Sequence, residues 1–430
     1  MQNIFKHKSL VSLCMALSVL LTASCDGLFG SDDTPKNSTF IVFSLGFNNL
    51  SSALKSDIDD LITYSLNKSH TRDNLLIFSH HTSAGSNYSN STSPTLTHVY
   101  KDRKDRTIKD TLLVMDPGTI SVSSETIRQV LEFIKERFPS EKYGMLMSSH
   151  GTGWAPENYC NYPSKFDETS SGGMIWRSSS KERMVPAPLM DGMPDVKSIG
   201  VQNISKSELI EMDITDLAEA MPMKMDYIIF DACFMGGVEV AYEFIDKCDK
   251  MVFSQTEILA DGMDYKTMLS YLFGKSEPDL RGLCENYFNY YDSQSSVYRS
   301  ATISLVDCKK LPEAAKACKA IFETQSPYLS ELNRSQVQRY FRMSYIDNHG
   351  WFYDLGSIIS NCQATEEQVA RFEEAMASCI LYKANTQWFM SDIQMRTHSG
   401  LSMYFPYEER TYLNEFYKTL RWNKDTELIK

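Results

Sequence analysis

The stretch DYIIFDACFMGG, residues 226–237, decides the fold, because a short apolar run ends there at reactive and small side chains. Its apolar half has the composition of a buried β-strand, and the two glycines are typical of a tight turn. YGMLMSSHGTGW, residues 143–154, repeats the pattern earlier in the chain. Two such strands with amphipathic stretches between them predict an α/β domain built on a mostly parallel sheet flanked by helices.

Further apolar runs extend this sheet. They lie at 39–46, 74–80, 110–115, 250–255 and 301–307. Between them, Ile127, Val130, Leu131 and Ile134 recur at helical spacing, and Ser123 stands where a helix cap is expected. The rhythm is that of strands alternating with helices.

Two regions do not follow this alternation of strands and helices. Residues 155–206 are polar, rich in Ser, Gly and Pro and without periodicity, and a loop of that length inside a domain is functional or disordered. Beyond residue 275 the pattern is mainly helical, with a late strand-like SGLSMYFP at 399–406. We therefore predict a first domain at 37–275 and a mainly helical C-terminal subdomain at 276–430, whose last strand rejoins the main sheet.

Composition limits the function classes. The chain has 430 residues, of which 42% are hydrophobic and 23% charged, and a formal net charge of -12. This composition is globular, and an acidic chain offers no basic surface to a phosphate backbone, so nucleic acid is excluded as an expected partner. The cysteine spacings match no metal site, so no metal ligand is assigned and no cofactor is required.

The N-terminus has the pattern of an export signal. Lys6 and Lys8 precede an apolar run at 10–21, and the run ends at TASC, in which Ala23 and Ser24 stand directly before Cys25. The run is too short for the ~20 residues of a membrane-spanning helix. We predict a lipoprotein signal peptide at 1–24, a lipidated Cys25, a tether at 25–36, and an exported protein held at the outer membrane or cell surface, or released from it. Ordinary signal cleavage, with Cys25 a bystander, is the alternative.

The ends of the two reactive strands predict a catalytic pair. In an open parallel sheet, functional groups collect beyond the carboxyl ends of the strands, so neighbouring strands would bring His150 and Cys233 together. A free thiol is mostly protonated at neutral pH, and an adjacent histidine activates it for attack on a carbonyl. The backbone N–H groups of Gly151 and Cys233 could stabilise the oxyanion that develops. Taken singly, the cysteine could be core packing and the His-Gly a turn.

At this point the chain resembles the clostripain family of cysteine peptidases, which are relatives of caspases and gingipains. The resemblance is carried, in the family's order, by TFIVFSLGFNNLSS with Asn49, MLMSSHGTGW, MDITDLAEAM, DYIIFDACFMGGVEVAYE, SQTEILADGMDY and SGLSMYFP. It implies a caspase-like fold and endopeptidase activity on protein or peptide substrates. It also implies that His150 is the general base and Cys233 the nucleophile.

The resemblance further implies specificity for arginine or lysine. Asp231 matches the family's acid two residues before the nucleophile, and Asp261 is a second candidate for binding the substrate cation. Asp231 could instead cap the following helix. The loop that contains Asp261 lacks the Pro-Gly-rich form found in some relatives, which leaves the basic specificity open.

The segment between His150 and Cys233 lies where some family members cut themselves. The candidate autoprocessing sites are Lys165, Arg177, Lys181, Arg183 and Lys197; a plain surface loop is the alternative. Clostripain is associated with calcium, but the chain contains no EF-hand pattern, so calcium dependence stays open. Two other functions remain alongside the basic-specific peptidase: a peptidase of non-basic specificity, and a non-enzymatic surface lipoprotein that keeps the scaffold.

Overall fold

The computed structural model of the protein describes residues 36–70, 72–83, 92–160, 166, 202–205, 208–343 and 350–430. Residues Lys36–Lys430 belong to one compact unit. The strands are β1 (Lys36–Gly46), β2 (Asp73–His81), β3 (Thr95–Lys101), β4 (Thr107–Val114), β5 (Ser140–Ser148), β6 (Gln202–Ser205), β7 (Glu208–Ile210), β8 (Met225–Asp231), β9 (Cys248–Phe253), β10 (Thr302–Asp307), β11 (Phe352–Asp354), β12 (Ile380–Asn385), β13 (Trp388–Phe389), β14 (Ile393–Gln394) and β15 (Ser402–Tyr404).

The α-helices alternate with these strands. They are α1 (Ser51–Asp60), α2 (Ser124–Arg137), α3 (Ile214–Ala220), α4 (Val238–Glu243), α5 (Met268–Leu272), α6 (Leu280–Asp292), α7 (Leu311–Glu331), α8 (Leu355–Asn361), α9 (Glu366–Cys379), α10 (Thr411–Thr419) and α11 (Arg421–Thr426). A π-helical turn, Leu61–Ser65, continues α1.

A central sheet organises the described residues. Nine strands follow the order β12-β10-β9-β8-β5-β1-β2-β3-β4. The neighbours from β9 through β8, β5 and β1 to β2 run parallel, and the outer pairs are antiparallel. Phe40, Ile41, Val42 and Phe43 of β1 are all fully buried, as expected for a strand covered on both faces by helices. The predicted α/β fold with a mostly parallel, helix-flanked sheet is confirmed.

The helix predicted after residue 123 begins and packs as its sequence indicates. The Ser123 hydroxyl accepts a hydrogen bond from the Thr126 N–H, which caps α2. Ile127, Val130 and Leu131 are fully buried. The apolar stripe therefore faces the sheet, and the polar face meets solvent.

The C-terminal region is mainly helical but also supplies strands to the main sheet. β10 and β12 form one end of it. The strand predicted at 399–406 is present as β15 but pairs antiparallel with β11 in a separate two-stranded sheet, with a single bridge from Ser402 to Gly237. The expectation that this last strand rejoins the main sheet is wrong, because β15 pairs with β11 instead. The domain boundary at residue 275 stays a prediction.

Several predicted features lie outside the described residues. These are the signal peptide at 1–24, residues 25–35 of the tether, which include Cys25, and the candidate processing sites Lys165, Arg177, Lys181, Arg183 and Lys197. In the part of the chain that is described, no helix combines the length and apolar character needed to cross a bilayer.

Candidate active site

The register between β5 and β8 sets the geometry of the site. Ser148 pairs with Asp231 at the carboxyl end of both parallel strands. His150 and Cys233 each follow this pair by two residues, so both leave the sheet at the same level. The two stretches singled out in the sequence are therefore direct neighbours.

Gly151 brings the two stretches into close contact. A Cβ atom at this position would lie 2.4 Å from the carbonyl oxygen of Cys233 and 3.0 Å from the Cβ of Ala232. Only glycine permits this approach of one backbone to the other. The Gly151 peptide therefore lies against the Cys233 peptide, and its role as an oxyanion donor stays a prediction.

Cys233 lies in a constrained turn and is fully buried. Its sulfur accepts a hydrogen bond from the Ile258 N–H at 3.2 Å. The next residue, Phe234, has φ 59°, a left-handed conformation that costs a non-glycine residue on the order of 1 kcal/mol and is typical of functional turns. The Phe234 N–H donates to Thr256 O at 3.0 Å, which helps to hold this conformation.

His150 is oriented by a residue from a third strand end. Its Nε2 lies 2.8 Å from Oδ1 of Asn49, which follows β1, the other neighbour of β5 in the sheet. An amide oxygen accepts and does not donate, so Nε2 carries the proton and Nδ1 is the basic nitrogen. Asn49 stands in one of the motifs that carry the family resemblance, but the sequence alone does not reveal its contact with His150.

Asp231 points into the interior. It is fully buried, and its Oδ2 accepts hydrogen bonds from the Tyr265 hydroxyl at 2.6 Å and the Ser148 hydroxyl at 3.1 Å. A substrate cation that binds this carboxylate therefore has to enter the interior and lie near these two hydroxyl groups.

Asp261, the second candidate acid, is exposed. Its Oδ2 accepts a hydrogen bond from Tyr290 of α6 at 3.1 Å. Burial raises the pKa of the neighbouring Tyr291, and the charges of Tyr287, Asp231 and Asp261 raise it further. Both predicted acids therefore lie near one tyrosine of α6.

A small cavity adjoins the histidine loop. It has a volume of about 80 Å³ and is lined by residues that include Ser149, His150, Gly151 and Glu211. The Glu211 carboxylate accepts a hydrogen bond from the Asn158 N–H at 2.6 Å. The cavity is partly open to solvent beside His150 and is large enough for several water molecules.

The thiols outside the site are buried in the part of the chain that is described. Burial raises the pKa of a set that comprises Cys160, Cys248, Cys284, Cys318, Cys362 and Cys379. A thiol is nucleophilic as the thiolate, so these side chains are poor nucleophiles at neutral pH. Within the described ranges, no group of three or more His, Cys, Asp or Glu side chains is arranged to hold a metal ion.

The chain belongs to the clostripain family, whose model matches residues 42–177 and 189–428. It is similar to the crystal structure of an inactive zymogen C11 protease from Parabacteroides distasonis, with 27% identity and a TM-score of 0.69 over 91% of this chain and 98% of that one. A secreted C11 cysteine protease from Bacteroides thetaiotaomicron, iotapain, has the same fold, with 24% identity and a TM-score of 0.68 over 91% and 99% of the two chains.

A third structure, of a secreted C11 cysteine protease from Bacteroides thetaiotaomicron with an irreversible peptide inhibitor, also shares the fold. It is 21% identical, with a TM-score of 0.69, and the match covers 92% of this chain and all of that one. No curated protein sequence matches the chain. The predicted family and caspase-like fold are confirmed, and the chain is a cysteine peptidase that acts on proteins or peptides. An enzyme is thereby favoured over the non-enzymatic scaffold.

Proposed function

We propose that the chain is an endopeptidase with a Cys233–His150 catalytic pair, in which Asn49 orients the histidine. The observation that carries the proposal is the pairing of Ser148 with Asp231 at the ends of neighbouring strands. His150 and Cys233 each follow this pair by two residues. The Asn49 contact supports it, because it leaves Nδ1 of His150 as the base.

The chemistry follows from these roles. The Cys233 sulfur attacks the peptide carbonyl carbon while its proton passes to Nδ1 of His150. The oxyanion forms beside the Gly151 and Cys233 peptides, whose N–H groups are the donors we assign to it. As the C–N bond breaks, His150 returns the proton to the leaving amine. A water molecule, deprotonated by His150, then hydrolyses the thioester and restores the thiol.

A thiol-reactive probe tests the pair directly. After limited trypsin cleavage in the 155–206 segment, iodoacetamide at pH 6.5 should alkylate Cys233 in the wild-type protein and at least tenfold more slowly in His150→Ala, because the thiolate loses its partner. Cys318→Ala removes a buried thiol elsewhere and should react like the wild type. Equal alkylation of Cys233 with and without His150 would leave the pair without support.

We propose that cleavage follows arginine or lysine, with Asp231 as the primary acid and Asp261 as a second. A buried carboxylate binds a guanidinium more strongly than an exposed one does. Asp231 is fully buried, and Asp261 is exposed. The alternative is a peptidase of non-basic specificity, in which the hydrogen bonds from Tyr265 and Ser148 give Asp231 a structural role. Cleavage of peptides that differ only in the residue before the cut distinguishes the two.

We propose that the chain is made as a precursor and is activated by cleavage after one of Lys165, Arg177, Lys181, Arg183 and Lys197. The support is the length and polar composition of the segment between His150 and Cys233, together with the burial of Cys233 and Asp231. The wild-type protein should convert to two fragments with time, and Cys233→Ala should stay intact. The same fragments from both would show that another protease makes the cut. Adding calcium or a chelator to this experiment tests calcium dependence.

We propose export through residues 1–24 and lipidation at Cys25, which would hold the protein at the outer membrane or cell surface. The support is the order of Lys6, Lys8, the apolar run and the small residues before Cys25. Cells fed a clickable palmitate analogue should label the wild-type protein but not Cys25→Ser. Label that survives in the variant would favour ordinary signal cleavage without lipidation.

A further inference from the structure

A buried ion pair joins the loop behind Cys233 to a segment far along the chain. Glu257 is 1% exposed and Arg342 is 6% exposed. The guanidinium binds the carboxylate with two hydrogen bonds of 2.8 Å, from Nε to Oε2 and from Nη2 to Oε1. A bidentate pair fixes orientation as well as separation, so the two segments are held rigidly together.

The loop at 254–258 contacts the nucleophile turn at each end and in its middle. Ser254 O accepts from the Gly236 N–H at 2.7 Å, and Thr256 O accepts from the Phe234 N–H at 3.0 Å. The Ile258 N–H donates to the Cys233 sulfur at 3.2 Å. Glu257 therefore lies between Thr256, which binds the Phe234 N–H of the turn, and Ile258, which binds the Cys233 sulfur.

Two sets of side-chain contacts anchor this loop. The first half is tied to Thr302 of β10, whose hydroxyl lies 2.8 Å from Oγ of Ser254 and 3.2 Å from the N–H of Thr256. The Thr256 hydroxyl, which lies 3.0 Å from that of Thr302, also donates to the Glu257 carbonyl oxygen at 3.0 Å, in the peptide group to which the Ile258 N–H belongs. The Glu257 carboxylate, held by Arg342, is a second side-chain anchor beside this peptide group.

We propose that Arg342 and Glu257 are positioning residues for the nucleophile, because together they hold the Ile258 N–H on the Cys233 sulfur. The inference rests on the proposed nucleophilic role of Cys233. An N–H donor stabilises a thiolate more than a thiol, so this contact increases the thiolate fraction and fixes the direction of the sulfur. Neither side chain touches the substrate in this account.

The electrostatics of the pair explain why one partner cannot be removed without effect. Burial raises the pKa of the Glu257 carboxyl, and the charge and hydrogen bonds of Arg342 oppose that shift. Without the guanidinium, a buried carboxylate is uncompensated, which is strongly unfavourable. The carboxyl then takes up a proton or moves toward water, and in both cases we expect the neighbouring Ile258 N–H to shift relative to the Cys233 sulfur.

Titration of the Cys233 thiol tests the proposal independently of turnover and of solvent access. The full chain is labelled with ¹³Cβ-cysteine, and the Cys233 signal is assigned by its absence in Cys233→Ala. In Arg342→Gln the thiol pKa should rise by about one unit, which is a tenfold smaller thiolate fraction at pH values below it. The kcat should fall by a similar factor with KM unchanged. Arg342→Lys keeps the charge but not the bidentate hydrogen bonding, and it should give a smaller shift.

The remaining variants separate positioning from stability. Glu257→Gln should give the same shift as Arg342→Gln, and the double variant should shift no further, because the two residues act as a unit. Leu131→Ala removes fully buried packing in α2 and should lower stability with no change in the titration. Single variants that lose stability but titrate like the wild type, or an equal shift in Leu131→Ala, would overturn the proposal. If the variants show these shifts but the wild type has no peptidase activity, only the peptidase mechanism is refuted.

Discussion

The side-chain oxygen of Asn49 accepts a hydrogen bond of 2.8 Å from Nε2 of His150. Three neighbouring strand ends therefore meet at the site, since Asn49 follows β1, His150 follows β5 and Cys233 follows β8. The contact assigns the proton to Nε2 and leaves Nδ1 as the base. The histidine is thus prepared for proton transfer before substrate binds.

Removing this contact should impair catalysis more than binding. Asn49→Ala should lower kcat about tenfold to a hundredfold, on the order of the 1–3 kcal/mol that a lost hydrogen bond costs. KM for a peptide substrate should change little, because Asn49 contacts the base and not the substrate. Asn67→Ala, at an exposed turn, is the control and should match the wild type. A normal kcat in Asn49→Ala would remove Asn49 from the mechanism.

The two candidate acids should differ in their effect on specificity. Asp231→Asn should lower kcat/KM for arginine peptides about a hundredfold, because a hydrogen bond to a buried charge is worth about 3 kcal/mol. Asp261→Asn should cost about fivefold or less, since an exposed ion pair contributes up to about 1 kcal/mol. Rates on both variants with arginine and neutral peptides measure this. If Asp231→Asn affects both peptides equally, Asp231 is structural.

Gly151 should tolerate no side chain. Gly151→Ala would place a methyl group 2.4 Å from the Cys233 carbonyl oxygen, and the backbone shift that relieves this clash should cost about 1–3 kcal/mol of stability and most of the activity. Gly118→Ala is matched in chemistry but meets nothing within 4 Å, so it should be neutral or slightly stabilising. Denaturant unfolding and peptide turnover of both variants check this pair. An active, stable Gly151→Ala would contradict the packing described.

Glu239 should make the stability of the protein depend on pH. Burial raises its pKa to about 7, although the Tyr404 N–H and the Tyr417 hydroxyl donate to its Oε1. The folded state therefore holds a proton that the unfolded state releases nearer its usual pKa of 4.5. This contribution is fully present at lower pH and is lost as the pH rises through about 7.

Glu239→Gln stays neutral and serves as the reference. Between pH 4.5 and 8, the free energy of unfolding of the wild type should fall relative to that of the variant by up to about 3 kcal/mol. Urea unfolding of both proteins at pH 5 and pH 8 measures the difference. A difference that is the same at both pH values would mean that Glu239 titrates normally.

The sheet was largely predictable, because its central strands are continuous apolar runs that end at recognisable turns. β3 was missed because TLTHVYK alternates with polar residues near the edge of the sheet, where one face is only partly buried. β12 lies in the region whose pattern predicts mainly helix, and it follows α9 directly, with neither glycine nor proline between Cys379 and Ile380. In both cases pairing with a distant strand decides the structure, and local sequence does not record it.

The reactive residues of the site were predictable from the sequence, and the residues that position them were less so. His150 and Cys233 stand at strand ends, a position that local sequence reveals. Nothing in the sequence alone separates the role of Asn49 from that of Asn48, and nothing links Arg342 to Glu257, 85 residues away. The burial of Asp231 beneath Tyr265 depends likewise on tertiary contacts. The supporting residues come from different elements, so their roles emerge only from the folded chain.

The central claim is a Cys233–His150 endopeptidase of basic specificity, and turnover of a fluorogenic peptide library tests it most directly. The wild-type protein, the Cys233→Ala and His150→Ala variants and the Cys318→Ala control should be assayed before and after limited trypsin cleavage in the 155–206 segment. We predict cleavage after arginine or lysine in the wild type and in Cys318→Ala, and none in the other two variants. Undiminished cleavage by Cys233→Ala or His150→Ala would contradict the account.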